Sequence, residues 1–475
     1  MFNGLFSADS WLNHIITSFS DVIWTYFIII VLIGCGLYFT WKTHFVQFRM
    51  IREMIRLLSD AVADNNGKNH ISSFQAFAVS VATRVGTGNL AGVATAIAIG
   101  DPGAIFWMWI IALIGSASAF VESTLAQLFK RNANDSYIGG PAYYIYHGLH
   151  KKGLANTFAI LLILTFGFSY NSIQSNTICD AMQKAFGFDP IPVALIITAM
   201  ALIIVFGGIQ RIAKVSSVLV PIMAIGYFIL AIMVVALNIH QIPHVFQLII
   251  ENAFGIGQFA GGALGTTIMM GIKRGLFSNE AGEGSTPNVA ATASVSHPVK
   301  QGLIQTLGVF TDTLLVCSCT AFIILISGLY DSGVNGIVLT QSALQNEIGS
   351  TGPVFIAIAI FFFAFSSIIG NYYYGEANIR FMINSKKVLT IYRLCSGGIF
   401  VLFGGLASLD FVWNMGDICM ACITLCNLFA IIQLSKYAFR LLDDYREQKR
   451  KGIKEPIFRK HIFPDIEKDI ECWNE

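Results

Sequence analysis

The 475-residue sequence predicts an all-α polytopic membrane protein of about eleven transmembrane helices, one extra helix followed by two groups of five. Three observations carry that prediction. The chain is 55% hydrophobic and only 12% charged, more apolar surface than a water-soluble fold of this length could bury. Its apolar residues fall in runs of about 20, the length of helix that crosses a hydrocarbon core about 30 Å thick. A polar template, Arg-x4-Asn-x-Ala-Gly, occurs twice inside such runs, as RVGTGNLAG at 84–92 and RGLFSNEAG at 274–282.

The predicted spans are 22–42, 74–100, 103–128, 155–177, 192–208, 216–237, 254–282, 299–326, 353–371, 389–406 and 412–434. The first 21 residues hold no Lys or Arg, so a signal-peptide n-region is absent and the first span is expected to be retained. Basic residues crowd alternate loops. Arg49, Arg52, Arg56 and Lys68 come first, then Lys130, Arg131, Lys151 and Lys152, then Arg211 and Lys214, Lys300, and Arg380, Lys386 and Lys387. Ten more follow from Lys436 onward, whereas the opposite loops hold only Lys184. The positive-inside rule then predicts a multi-pass protein of the cell (inner or plasma) membrane, with the N-terminus outside and the C-terminus in the cytoplasm.

Four stretches follow from this layout. Residues 1–73 carry the extra helix and an amphipathic segment at 45–58, 74–237 the first group, 254–434 the second, and 435–475 a basic tail. Basic residues in 45–58 and the tail suit anionic lipid, or serve simply as positive-inside loops. Nine scattered cysteines argue against a disulfide framework, and the C-x-x-C of CMACITLC reads as helix packing. Five spans is an odd number, so the second group must run opposite to the first. That is the signature of an inverted-topology repeat, with the template in the first span of each half.

The template contains what a lipid-facing helix should avoid. Glycine inside a helix costs about 1 kcal/mol relative to alanine. Gly86, Gly88 and Gly92 therefore predict unwinding at 85–89, and Gly271, Gly275, Gly282 and Gly284 flank Phe277, Ser278 and Asn279 in the partner span. Any one of these glycines could instead serve close helix packing. Broken helices offer N–H groups to an anion and free carbonyls to a cation, the two tools an amino-acid zwitterion with a co-transported Na⁺ requires.

Ionisable residues inside spans need a partner or water. A central Arg or Lys costs roughly 2.5–3.5 kcal/mol on insertion scales. Arg84, Lys273 and Arg274 are thus expected to face the interior in gating or structural pairs, with Glu122, Glu280, Glu283 and Asp312 as candidate partners. Asp312, near mid-span in TLGVFTDTLLV, reads as a proton or cation site or as a hydrogen-bonded structural Asp. Asn171, Gln174 and Ser175 share a helix face. Gln174 could meet a substrate ammonium or act as interhelical glue. Ser366 and Ser367, a turn before Gly370 and Asn371, suit a hard, oxygen-ligated cation.

The runs FQAFAVSVATRVGTGNLAGVATAIAIGDPGAIFWMW, YIGGPAYY and GIKRGLFSNEAGEGSTP resemble the alanine or glycine:cation symporter family, and the resemblance extends from about Ser73 to Asn427. It implies a LeuT/APC-type fold of five-plus-five inverted repeats with one extra N-terminal helix and discontinuous first and sixth core helices. It also implies cation-coupled uptake (Na⁺, less often H⁺) of a small neutral amino acid such as alanine, glycine or glutamine. By motif, Gly86, Thr87, Gly88, Gln174, Phe277, Ser278 and Asn279 would bind substrate. Val85, Asn89, Ser366 and Ser367 would bind cations. The implied partners are the amino acid, Na⁺ and membrane lipid, without a cofactor, nucleic acid or obligate protein partner. An embedded enzyme finds no H-E-x-x-H and no evident intramembrane His–carboxylate cluster. A channel would call for symmetric rings of carbonyls or charges.

Overall fold

A computed structural model describes residues 10–63, 71–133, 136–255, 261–383 and 385–473; Lys68 and part of the predicted 254–282 span lie outside the described residues. The described chain begins with α1 (Trp11–Lys42), which starts well ahead of the predicted run, and the amphipathic α2 (Ile51–Ala63). In α2, Met54 and Leu57 are buried whereas Ile51 and Ile55 stay exposed. The first predicted core span is two helices, α3 (Ser73–Arg84) and α4 (Gly88–Gly100). Ser72 starts α3 with a capping box, its hydroxyl on the Gln75 N–H and the Gln75 side chain on the Ser72 N–H.

Next come α5 (Ala104–Leu128), a two-stranded hairpin of β1 (Arg131–Ala133) and β2 (Ser136–Ile138), and α6 (Pro141–Leu149). The bundle continues through α7 (Lys152–Phe186), α8 (Pro190–Val205), α9 (Gly208–Leu237) and α10 (Ile242–Ala253). The second broken helix begins as α11 (Gly261–Asn279) and resumes only as a single turn, Pro287–Ala290. After it run α12 (Pro298–Ser327), α13 (Gly336–Ile348), α14 (Thr351–Met382), α15 (Lys386–Gly404) and α16 (Leu409–Arg450). Among the described residues, eight helices are long and apolar enough to cross a membrane, namely α1, α5, α7, α9, α12, α14, α15 and α16. The apolar α4 and α8 are shorter.

Small residues let the centre pack backbone to side chain. A Cβ on Gly302 of α12 would fall 2.1 Å from Thr124 Oγ1 of α5, and one on Gly370 of α14 2.4 Å from Thr83 Cγ2 of α3. Five helices widen into π-helical turns among the described residues, at Trp24–Ile28 of α1, Gly88–Gly92 of α4, Ile163–Tyr170 of α7, Phe310–Cys317 of α12 and Cys395–Ile399 of α15. Such turns leave backbone groups unevenly spaced and are common at functional sites.

Two expectations are corrected here. Helix α16 runs to Arg450, well beyond the apolar run that ends near 434, because helical hydrogen bonding continues on protein contacts once hydrophobicity stops. The second break does not fall at Phe277–Asn279, which form the last turn of α11. The irregular backbone is Glu280–Thr286, where Glu280, Gly282 and Gly284 take φ of +56°, +96° and +81°. The first break, by contrast, spans only Val85 and Gly86. The two template copies therefore place their breaks at different offsets from the arginine, one residue after Arg84 but six after Arg274.

Candidate functional site

The helices beside the two breaks meet. A Cβ on Gly88 would lie 3.0 Å from Ser278 Cα and 3.1 Å from Phe277 Cδ1, so α4 touches the last turn of α11 with nothing between them. A Cβ on Gly86 would lie 2.3 Å from Ser367 Oγ and 3.0 Å from Gln174 Oε1. Neither glycine has a positive φ, so both are required for space, unlike Gly282 and Gly284, whose conformation L side chains rarely adopt.

Side chains hold the Gly86 and Thr87 N–H groups freed at the first break. The Gly86 N–H donates to Asn89 Oδ1 at 2.9 Å. Gln174 Oε1, on α7, accepts from the Thr87 N–H at 3.0 Å and from the Thr87 hydroxyl at 2.7 Å. The N–H groups expected to meet a carboxylate thus already hold amide oxygens, and Gln174 faces the first break with its carbonyl. Asn171, predicted on the same face, instead donates to Ser396 Oγ of α15 at 3.0 Å and works as interhelical glue.

Asp312 lies where the halves join. It is fully buried on the π-helical turn of α12. Its Oδ1 accepts from Asn89 Nδ2 at 2.7 Å, and its Oδ2 from Ser278 Oγ at 2.7 Å and from Thr313 Oγ1 at 2.8 Å. Cys317 Sγ sits 3.3 Å from Asn89 Nδ2 and 3.1 Å from Ser278 Oγ. No Lys or Arg stands within ion-pair distance of Asp312 among the described residues. An ionised carboxylate in such a place calls for a cation.

The Ser366 and Ser367 hydroxyls both donate to Ala82 O near the end of α3, at 3.3 and 2.9 Å, and to Phe363 O at 2.8 and 3.1 Å. That carbonyl lies one turn before the break, so hydroxyls and main-chain oxygens are gathered beside Val85. Phe277 closes the other flank, its ring 4.7 Å from Tyr170 and 4.8 Å from Trp413. Asn279 Oδ1 accepts from the Ala281 N–H at 3.0 Å. Glu122 takes the Gly282 N–H at 3.2 Å, and Asn427 Nδ2 donates to Gly282 O at 2.9 Å and to Glu122 Oε2 at 2.8 Å. Glu280 accepts from Ser285 Oγ at 2.5 Å, and Glu283 from Tyr170 at 3.4 Å.

The intramembrane cations do not take the acids expected for them. Lys273 and Arg274 share Asp417 of α16: Nζ to Oδ2 at 2.8 Å, and the guanidinium bidentate at 2.9 Å to each oxygen. Arg274 also stacks 4.4 Å from the Trp413 ring centroid. Trp24 of α1 donates its indole N–H to Asp417 O at 3.1 Å, so the extra helix supports this cluster. Arg84, 1% exposed, forms no ion pair with Glu122, Glu280, Glu283 or Asp312 among the described residues. It donates from Nη1 to Gln305 O at 3.2 Å and lies over Gly308, where a Cβ would meet Nη1 at 2.4 Å.

Asp417, Cys317, Tyr170 and Trp413 escaped the sequence reading. For Asp417 the signal was present, since an ionisable residue inside a span is functional by default. For Cys317 and the two aromatics the sequence carries none, because apolar spans are full of such residues. No cluster of three or more His, Cys, Asp or Glu side chains suited to a resident metal occurs among the described residues.

A family model described as the sodium:alanine symporter family matches residues 9–460. The chain is 50% identical to the "Probable sodium/glutamine symporter GlnT" of Bacillus subtilis (strain 168), covering 97% of this chain and 96% of that one. It is 48% identical to the "Amino-acid carrier protein AlsT" of the same organism (98% and 99% covered). It is 34% identical to the "Sodium/alanine symporter AgcS" of Methanococcus maripaludis (89% and 94% covered). Among solved structures, the fold is similar to that of MhsT crystallised with L-phenylalanine, at a TM-score of 0.56 and 15% identity over 86% of this chain and 94% of that one.

Proposed function

The chain belongs to the sodium:alanine symporter family, and on that footing we propose that it takes up a small neutral amino acid (alanine, glycine or glutamine) with Na⁺ by alternating access. The observation that carries the reading is Asp312, a buried carboxylate held by Asn89 from the first broken helix and Ser278 from the second. A cation there neutralises Asp312 and ties the two breaks together, so its arrival reports on both. A proton on the same carboxylate is the alternative, and it accounts for any H⁺-driven mode. Val85, Asn89, Ser366 and Ser367 supply further cation oxygens beside the first break.

The substrate carboxylate takes the place of Gln174 Oε1 on the Thr87 N–H at the N-terminus of α4, where aligned peptide dipoles favour an anion. Gly86 and Gly88 keep that approach open. Phe277, with Tyr170 and Trp413, covers the apolar side of the substrate, and Ser278 and Asn279 offer polar contacts. Lys273 and Arg274 clasping Asp417 form the pair that gates movement of α11 against α16.

The architecture proposed is α1 followed by ten core spans in two inverted groups, with α3/α4 as the first core helix and α11 with Pro287–Ala290 as the sixth. The N-terminus is placed outside and the C-terminus in the cytoplasm of the cell membrane. Inward movement of one Na⁺ then gains about 2.3 kcal/mol per 100 mV, enough to concentrate an uncharged substrate roughly fiftyfold. Uptake by proteoliposomes from a panel of amino acids, with Na⁺ and pH gradients imposed separately, tests the proposal. Saturable uptake of alanine, glycine or glutamine that follows the Na⁺ gradient supports it. Uptake indifferent to both gradients, or chemical conversion of the amino acid, contradicts it.

A further inference from the structure

Beyond α16 the chain does not trail into solvent. Residues 451–473 fold back across the end of the bundle that carries α2 and α6, and bury Phe458, Phe463, Ile466, Ile470 and Trp473. What they touch is the chain just beyond the second break and the groups that hold it, and that chain is itself tied to the start of α3. The Ala290 and Ala293 carbonyls, at the end of the short Pro287–Ala290 helix, are held by Gln127 Nε2 at 2.5 and 3.0 Å, and Ala293 O also by Lys130 Nζ at 3.2 Å. The Ser294 N–H donates to Ile71 O at 3.1 Å, which ties the same segment to the entrance of α3.

The folded-back segment caps these holding groups directly. Trp473 donates its indole N–H to Gln127 O at 3.1 Å, and its ring lies 4.5 Å beneath the Lys130 ammonium, which Tyr137 flanks at 4.1 Å on another side. Phe458 N donates to Ser296 O at 2.9 Å, and Ser296 Oγ returns a bond to Pro456 O at 2.7 Å. Arg131 Nη2 reaches Asp469 O at 2.8 Å, and the Asn132 N–H reaches Glu471 at 3.1 Å. Glu455 is gripped by Lys300 and, at 3.2 Å, by Arg56 of α2. Lys130 has no carboxylate partner within ion-pair distance among the described residues, so its charge is met by the Trp473 and Tyr137 rings and a carbonyl.

We propose that residues 451–473 are an autoinhibitory latch: seated, they hold the inner ends of both broken helices together, and lifting them is the step that lets the site open on this face. The Trp473 ring is the bolt, because it is the one group of the latch that touches both Gln127 and Lys130, the residues that grip Ala290–Ala293. Naming this face cytoplasmic rests on the proposed transport function. The packing that makes the latch does not.

Hydrogen exchange on the full-length purified protein tests it without substrate or gradient. In Trp473→Asp, which puts a carboxylate where the indole packs, amides of 456–473 should exchange at least tenfold faster, and those of 71–76 and 290–297 at least fivefold faster. Amides in the middle of α5 and α14 should keep their wild-type rates, which shows that the bundle is folded. Trp473→Phe, which keeps a ring over Lys130 but loses the indole donor, should fall between the two. Two results overturn the latch: a released tail with 290–297 still fully protected, or a tail that stays protected in Trp473→Asp. Transport failing while these rates change as stated would refute the transport function and leave the latch standing.

Discussion

At the residue scale the two copies of one template turn out to do different work. Asn89 accepts from the Gly86 N–H behind it and reaches Asp312, whereas Asn279 accepts from the Ala281 N–H ahead of it. Gly86 is needed for room and Gly282 for its φ of +96°. Gly86→Ala is therefore expected to lower the initial uptake rate more than tenfold, with the protein still eluting as a monodisperse species. Uptake within twofold of wild type would show that Ser367 and Gln174 can yield the space. Gln174→Ala removes the oxygen that competes for the Thr87 N–H and also the cap that orders α4, so the half-saturating substrate concentration should shift by about tenfold in one direction or the other. An unchanged value would remove Gln174 from the site. Broken helices, glycines and Asp312 were legible in the sequence because each violates what a lipid-facing helix requires. Arg84 was legible only as an anomaly, since its carbonyl partner, Gln305 O, leaves no mark on residue identity.

At the scale of elements, charge joins helices that are far apart in the chain. Asp417 holds Lys273 and Arg274 of α11 against α16 in a buried cluster of two cations and one anion. Asp417→Ala leaves both cations unpaired, and removing one partner of such a buried pair costs about 3–5 kcal/mol. The variant should show a markedly lower thermal midpoint in detergent, and an unchanged midpoint would place the cluster in water. This cluster was hard to read in advance because Arg274 and Asp417 lie 143 residues apart and the sequence offers three candidate acids nearer to hand, Glu280, Glu283 and Asp312. The docking of α2 on α16 is also electrostatic. Burial pushes the Glu53 carboxyl up, but hydrogen bonds from Arg56, Tyr445 and Lys449 outweigh it and hold it at about 2, below its ordinary 4.5. A depressed folded pKa means that this contribution is complete above about 4.5 and is lost as pH falls from there toward 2. Exchange of the 51–60 amides should accordingly stay slow at pH 6 and rise below about 4.5, and Tyr445→Phe, which removes one of the bonds that depress the Glu53 pKa, should speed exchange at pH 6 and shrink the further rise at low pH. Exchange insensitive to pH, once corrected for the intrinsic rate, would show that apolar contacts alone dock α2.

At the scale of the whole molecule, two broken helices cross at one buried carboxylate, with an ion-paired cluster to one side and a folded-back C-terminal segment covering the opposite end. The chain's similarity to MhsT, at 15% identity, lies in the path of the helices and not in their residues. Hydropathy located the eight long apolar helices of the described residues but not their lengths, because α14 and α16 continue as helices on protein contacts where apolar runs stop. The tail was legible as basic but not as folded, since the buried residues of 451–473 are Pro456 and five larger apolar side chains scattered among charges. The central claim is that Asp312 couples the cation to the amino acid. Its most direct test is influx of radiolabelled sodium into proteoliposomes, with and without the preferred unlabelled amino acid outside, for the wild type and Asp312→Asn. Wild-type sodium influx should rise severalfold with the amino acid, and in Asp312→Asn that stimulation should vanish while the protein stays folded. Stimulated sodium influx that survives intact in Asp312→Asn would contradict the account.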